Sequence, residues 1–113
     1  MNLCPGAILL LSAPIQFSAP YQVLTTLGDP SGSLRATIRV VGQNQTNAIY
    51  AACDRCSNIQ IRNIQVDGNR PGLGVLYDPP PSALIEMGGN TAGQVMNDVH
   101  GFGKLLPCSI LSL

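Results

Sequence analysis

"IRNIQVDGNRPGLG" (61–74) decides how this chain is read. Together with the residue just before it, this stretch places apolar side chains at Ile59, Ile61, Ile64 and Val66. Ile59 to Ile61 and Ile64 to Val66 are even steps, as in a strand; Ile61 to Ile64 is odd. A flat strand would turn its apolar face outward at that odd step. A helix would not place Ile59 and Ile61 on one side. The spacing fits two short walls that meet at a corner. Ile59 and Ile61 face a core from one wall, Arg62-Asn63 turns, and Ile64 and Val66 face it from the next. Asp67-Gly68-Asn69 then leaves the wall in a turn, where Gly accepts positive φ and Asn and Asp tolerate it.

The rest of the chain suits short walls. Its 113 residues set the expectation of one domain. Twelve Gly and nine Pro interrupt it often, which favours many short strands over long helices. Charged residues make up 11%, and six basic side chains balance six acidic ones, so no basic run recommends a nucleic acid or an anionic membrane. The longest apolar run, Ala7–Leu11, is far short of a membrane span. The opening "MNLCPGAILLLSAPIQFSA" (1–19) has no basic residue ahead of its apolar stretch, and Pro5 and Pro14 bracket it. It is read as a strand and not as a signal peptide.

Sustained i, i+3, i+4, i+7 patterns are absent. Strands are predicted at Ala7–Leu11, Pro14–Phe17, Gln22–Leu27, Ala36–Val41, Ala48–Cys53, Asn58–Ile61, Ile64–Val66, Ser82–Met87 and Gln94–Val99. No hairpin signal joins adjacent pieces. An internal repeat links several of them. "AIYAACDRCSNIQIRNIQVDG" (48–68) overlays "ALIEMGGNTAGQVMNDVHGFG" (83–103) at a shift of 83 − 48 = 35, so Ile61 meets Met96 and Ile64 meets Val99. Upstream, "QVLTTLG" (22–28) is laid on 47–53 at a shift of 25, with "PIQF" (14–17) near "TIRV" (37–40). The ten-residue difference is assigned to a loop over 70–82. A parallel α/β sheet would need crossover helices, and none is predicted. A solenoid of short parallel strands explains both the corner and the repeat, with inward residues stacking from coil to coil. Ile38, Val40, Ile49, Ile61, Ile64, Val66, Ile85 and Val99 are expected to point inward.

The segments "LCPGAILLLSAPIQFSAPYQVLTTLGDPSGSLRATIRVVG" (3–42), "IRNIQVDGNRPGLG" and "ALIEMGG" (83–89) carry a resemblance. From Leu3 to about Gly101 the chain resembles the first coils of a family of fungal secreted proteins with the pectin-lyase-like right-handed parallel β-helix. The resemblance implies an all-β solenoid of about three coils, an extracellular location and a polysaccharide partner. The end, "HGFGKLLPCSILSL" (100–113), departs from the family's continuation. Residues 1–103 are therefore expected to form a partial β-helix domain, and 104–113 an apolar tail of the kind a truncation leaves. Self-association through exposed coil ends, or a tail folded over the last coil, is expected.

Three functions follow. A lyase or hydrolase of pectin-like polymers is one. A hydrolase needs two carboxylates about 5–10 Å apart, and at the 35-residue shift no acid meets an acid. A lyase needs a basic residue to take a proton and Ca²⁺ held by oxygen ligands; Asp67, Asn69 and Arg70 are the best local set, though Asp-Gly-Asn reads first as a turn, with Arg70 before a Pro at a loop start. His100 in "VHGFG" is similar to the Gly-His-Gly of polygalacturonases but lacks the accompanying aspartates, and Glu86 reads as an outward groove residue beside inward Ile85. The second function is a non-catalytic carbohydrate-binding β-helix, which needs only a groove of amides and hydroxyls, and the third is a fragment without activity of its own. Asp67, Asn69, Arg70, Glu86 and His100 are thus candidate substrate-binding residues. No cofactor is expected outside the Ca²⁺ of the lyase reading. Cys53-x-x-Cys56 sits at a corner without the second ligand pair a zinc site would need; a local disulfide or two free thiols remain open. No Cys4–Cys108 bond is expected across the coils. Asn44-Gln45-Thr46 fits a glycosylation sequon in a polar turn.

Overall fold

Ile61 and Ile64 are both fully buried, on either side of Asn63, whose φ is +53°. In a computed structural model, residues 1–42, 45, 47–69 and 84–103 are described. The odd step of "IQIRNIQV" is a bend inside one strand. Asn63 takes a left-handed conformation, which Asn tolerates better than most residues. The strand turns there without leaving the core.

Among the described residues nine strands follow in order: β1 (Asn2–Leu3), β2 (Ile8–Leu11), β3 (Ile15–Gln16), β4 (Val23–Thr26), β5 (Ala36–Val40), β6 (Ile49–Ala51), β7 (Gln60–Asp67), β8 (Ile85–Met87) and β9 (Val95–Phe102). The only helix among the described residues is a 3₁₀ turn at Gly32–Leu34. Every strand pair is parallel. A six-stranded sheet runs β1-β4-β7-β5-β2 with β9 on β7, and a three-stranded sheet runs β3-β6-β8. The first half of β7 pairs with β4 and its second half with β5. The large sheet therefore folds at Asn63 into two walls, and the small sheet is a third. The chain visits them in a fixed order: β1, β2, β3; then β4, β5, β6; then the two halves of β7, and β8. The two halves of β9 begin a further pass.

The inward columns follow from this register. Leu24, Ile61 and Met96 align on the first wall, Ile38 and Val66 on the second, and Ile49 and Ile85 on the third. Of the residues expected inward, Ile38, Val40, Ile49, Ile61, Ile64 and Val66 are buried, while Ile85 and Val99 are half-buried against the same core. Thr26 is a buried polar member. Its hydroxyl donates to Asn63 O at 2.7 Å and accepts from Ala36 N at 2.9 Å, which satisfies both backbone groups at the corner.

The 35-residue shift holds for β7 on β9, where Gln60 pairs with Val95 and Ile64 with Val99. Two other parts of the repeat need correction. Ile49 pairs with Ile85 and not Leu84, one residue further on. The upstream shift of 25 does not occur: β4 pairs with β7, and "PIQF" lies beside β6, not beside "TIRV". The loop assigned to 70–82 and the tail at 104–113 lie outside the described residues. Ile8–Leu11, expected as a strand, is β2, paired with β5.

Candidate functional site

Asp67 ends β7, and both its carboxylate oxygens have partners. Oδ2 accepts from Arg39 Nε at 2.9 Å and Oδ1 from the Asn69 amide at 2.7 Å. Asn69 has φ +58° and donates its side-chain amide to Val40 O at 3.1 Å. This is an Asx-type turn tied to the neighbouring strand. Gly68 and Gly103 meet across it, and a side chain at Gly103 would run into Asp67 Oδ1 and the Asn69 amide nitrogen. The fold thus uses Asp67 and Asn69 in the turn. Arg70, their expected companion, lies outside the described residues, as do Asn44 and Thr46 of the sequon and Cys108.

Two further carboxylates are engaged in the same way. Asp98, at φ +52°, accepts from Arg35 Nη1 at 3.1 Å, from Ser31 Oγ at 3.1 Å and from Asn63 Nδ2 at 3.0 Å. Asp29 accepts from the Thr25 hydroxyl at 2.8 Å and from Arg62 Nε at 3.2 Å. The Thr25 hydrogen bond, and then Arg62, hold the Asp29 carboxyl below its ordinary range, against the opposing effect of desolvation. Each ion pair joins one pass of the chain to another. Arg35, Arg39 and Arg62 are therefore each engaged by a carboxylate from another pass.

The amides are also largely committed. Asn63 Nδ2 donates to Asp29 O, Pro30 O and Asp98 Oδ2. Gln94 donates to Ala51 O at 2.7 Å and Cys56 O at 2.9 Å, and accepts from Gly88 N at 2.6 Å. Gln22 Oε1 accepts from the amides of Ser18 and Ala19. A groove of amides and hydroxyls would need such side chains free; these close the corners. Cys53 and Cys56 form a disulfide at the corner between β6 and β7, and Cys4 is a free, exposed thiol.

What the fold leaves unused lies on the third wall. Gln16 pairs in register with Tyr50, and Tyr50 with Glu86. Ile49 and Ala51, flanking Tyr50, are fully buried, so Tyr50 points outward. Parallel strands lie about 4.8 Å apart, so an amide, a phenol and a carboxylate form a ladder across three passes. Among the described residues no hydrogen bond or ion pair occupies these three side chains. A cleft of about 180 Å³ lies at the Gln16 end, between Ile15–Phe17 and Gln22–Leu24. Glu86 was legible as an outward residue. Tyr50 and Gln16 were missed, although the alternation of "AIYAA" carries the signal. On the second wall His100 and Phe102 are stacked, with ring centroids 5.4 Å apart, beside Gln65 and Asp67 of β7. Among the described residues no three His, Cys, Asp or Glu side chains come together.

No family model, curated protein or solved structure matches this chain.

Proposed function

We propose that this chain is a right-handed parallel β-helix that binds a neutral polysaccharide along its third wall without cleaving it. Two features support the helix. The three walls are visited in the same order on every pass, and crossovers between parallel strands are right-handed in about 98% of cases. The observation that carries the binding reading is the ladder Gln16–Tyr50–Glu86, a polar and aromatic row that the fold does not need for itself. A ring such as Tyr50 offers a flat face for a sugar and a hydroxyl at its edge. Gln16 can donate and accept, and Glu86 accepts from sugar hydroxyls. A carboxylate at that place repels a uronate, so a neutral chain suits the row better than pectate.

Cleavage is disfavoured by the same geometry. Asp29, Asp67 and Asp98 are tied to arginines, and Glu86 is the only carboxylate on the row, whereas glycoside hydrolysis uses two. Affinity electrophoresis through gels containing soluble neutral glucans, xylans or polygalacturonate tests the reading. Retardation is expected in a neutral gel. Tyr50→Ala should weaken it about tenfold, the equivalent of about 1.4 kcal/mol, and Phe102→Ala should leave it unchanged. Absence of retardation in every gel, or release of reducing ends or unsaturated products, refutes it.

A further inference from the structure

Met96 belongs to the column of Leu24 and Ile61, both essentially inaccessible to solvent, yet Met96 is 53% exposed. The column has no further rung above it among the described residues. Val95, 46% exposed, and Phe102 lie on the same strand. At the opposite end β2 pairs only with β5, and its outward residues Ile8 and Leu10 are also exposed. Among the described residues the two ends of the large sheet are thus parallel edges without a further partner strand, each with an apolar rim. Such edges template pairing with another chain.

We propose that copies of this chain stack head to tail, with the β9 edge of one pairing with the β1–β2 edge of the next. Continuing the register of the second wall puts Ile8 of one copy beyond His100 of another, and Leu10 beyond Phe102. Leu10 then meets Phe102, apolar on apolar, and Ile8 meets the imidazole of His100. Formal net charge is zero, so no long-range repulsion opposes the approach. The contact joins unlike ends, so it does not close, and it grows as an open series.

The test uses the full chain in sedimentation velocity across a hundredfold range of concentration. The wild type should form a series of species that lengthens with concentration. Met96→Lys places a charge where the junction buries it but where the single molecule leaves it in water. Leu10→Pro removes an amide donor on the free side of edge strand β2, a position that tolerates proline; Leu10→Lys alters only an exposed side chain and guards against misfolding. Each variant alone should sediment as a monomer. Mixing Met96→Lys with either Leu10 variant should give a one-to-one dimer and nothing larger, because each partner retains one competent end. A wild type monomeric at all concentrations means that the chain covers its own end, and overturns the proposal. Association abolished by Met96→Lys but unaffected at Leu10 means like ends meet, and overturns it too. Failure of the mixture to pair, with circular dichroism of both variants unchanged, does the same.

Discussion

Strands β7 and β9 have the same length and the same bend, and they differ in their neighbours. Each has eight residues with a left-handed Asn or Asp at its fourth position, Asn63 or Asp98. They pair at an offset of 35 along both halves. Yet β7 has strands on both sides, and Ile61, Ile64 and Val66 are fully buried, whereas β9 has a neighbour on one side and most of its residues are exposed. The local conformation therefore comes from sequence and register. Burial, and with it stability, comes from the next rung.

The largest test of that contrast is truncation at equivalent columns. Ile61→Ala opens a cavity in a packed core and should cost about 3–4 kcal/mol. Met96→Ala, one rung higher in the same column, removes a half-solvated side chain and should cost less than about 0.5 kcal/mol. Urea midpoints, with slopes compared, measure both. Equal losses would show that β9 is covered as well as β7.

The bend gives a smaller contrast. Asn63→Gly keeps the positive φ and removes the amide that donates to Asp29 O, Pro30 O and Asp98. It leaves part-buried carbonyls short of a donor, so a loss of about 1 kcal/mol is expected. Asp98→Gly removes a partly exposed ion pair with Arg35 and should cost about 0–1 kcal/mol. If both cost the same, the corner is held by conformation and not by the Asn63 amide.

How far the sequence carried the fold depends on the same two strands. The 35-residue offset could be read because β7 and β9 turn each corner in one residue, so both walls keep one shift. The earlier pass could not be read this way. Val23 pairs with Gln60 at an offset of 37, and Ala36 with Ile64 at 28. The difference of nine arises because the chain between Thr26 and Ala36 makes the turn that Asn63 makes alone. A single shift fitted across walls, such as 25, must then fail. Strand positions survived because inward alternation is local; pairing upstream did not, because corner length is free to vary at the surface. The candidate site divided similarly. Glu86 stood out by its alternation with Ile85, but the ladder with Tyr50 and Gln16 depends on offsets of 36 and 34 that no one shift predicts. Asp67 and Asn69 stood out because polar residues cluster there, and the structure places that cluster in a turn.

The smallest expected effect distinguishes how β7 is fastened from below. Asp29 accepts from the Thr25 hydroxyl and from Arg62 of β7, and its carboxyl is held below the ordinary value, first by Thr25 and then by Arg62. A carboxyl whose pKa is lower folded than unfolded adds stability that is fully present above the unfolded value. That stability fades as pH falls through the folded one, because the unfolded chain takes up the proton first. The reference value is 3.8, so the loss should develop below about pH 4. Asp29→Asn removes the ionisation and keeps the shape. The variant should be slightly less stable than the wild type at pH 7, and the two should converge as the pH is lowered past that window. Asp29 is half-exposed, so the gap at neutral pH should be small and should shrink further with added salt. Thermal midpoints at pH 7 and pH 3, each with and without salt, measure it. A gap that persists unchanged at pH 3 would place the contribution of Asp29 in hydrogen-bond geometry alone, since only its charge is lost on protonation.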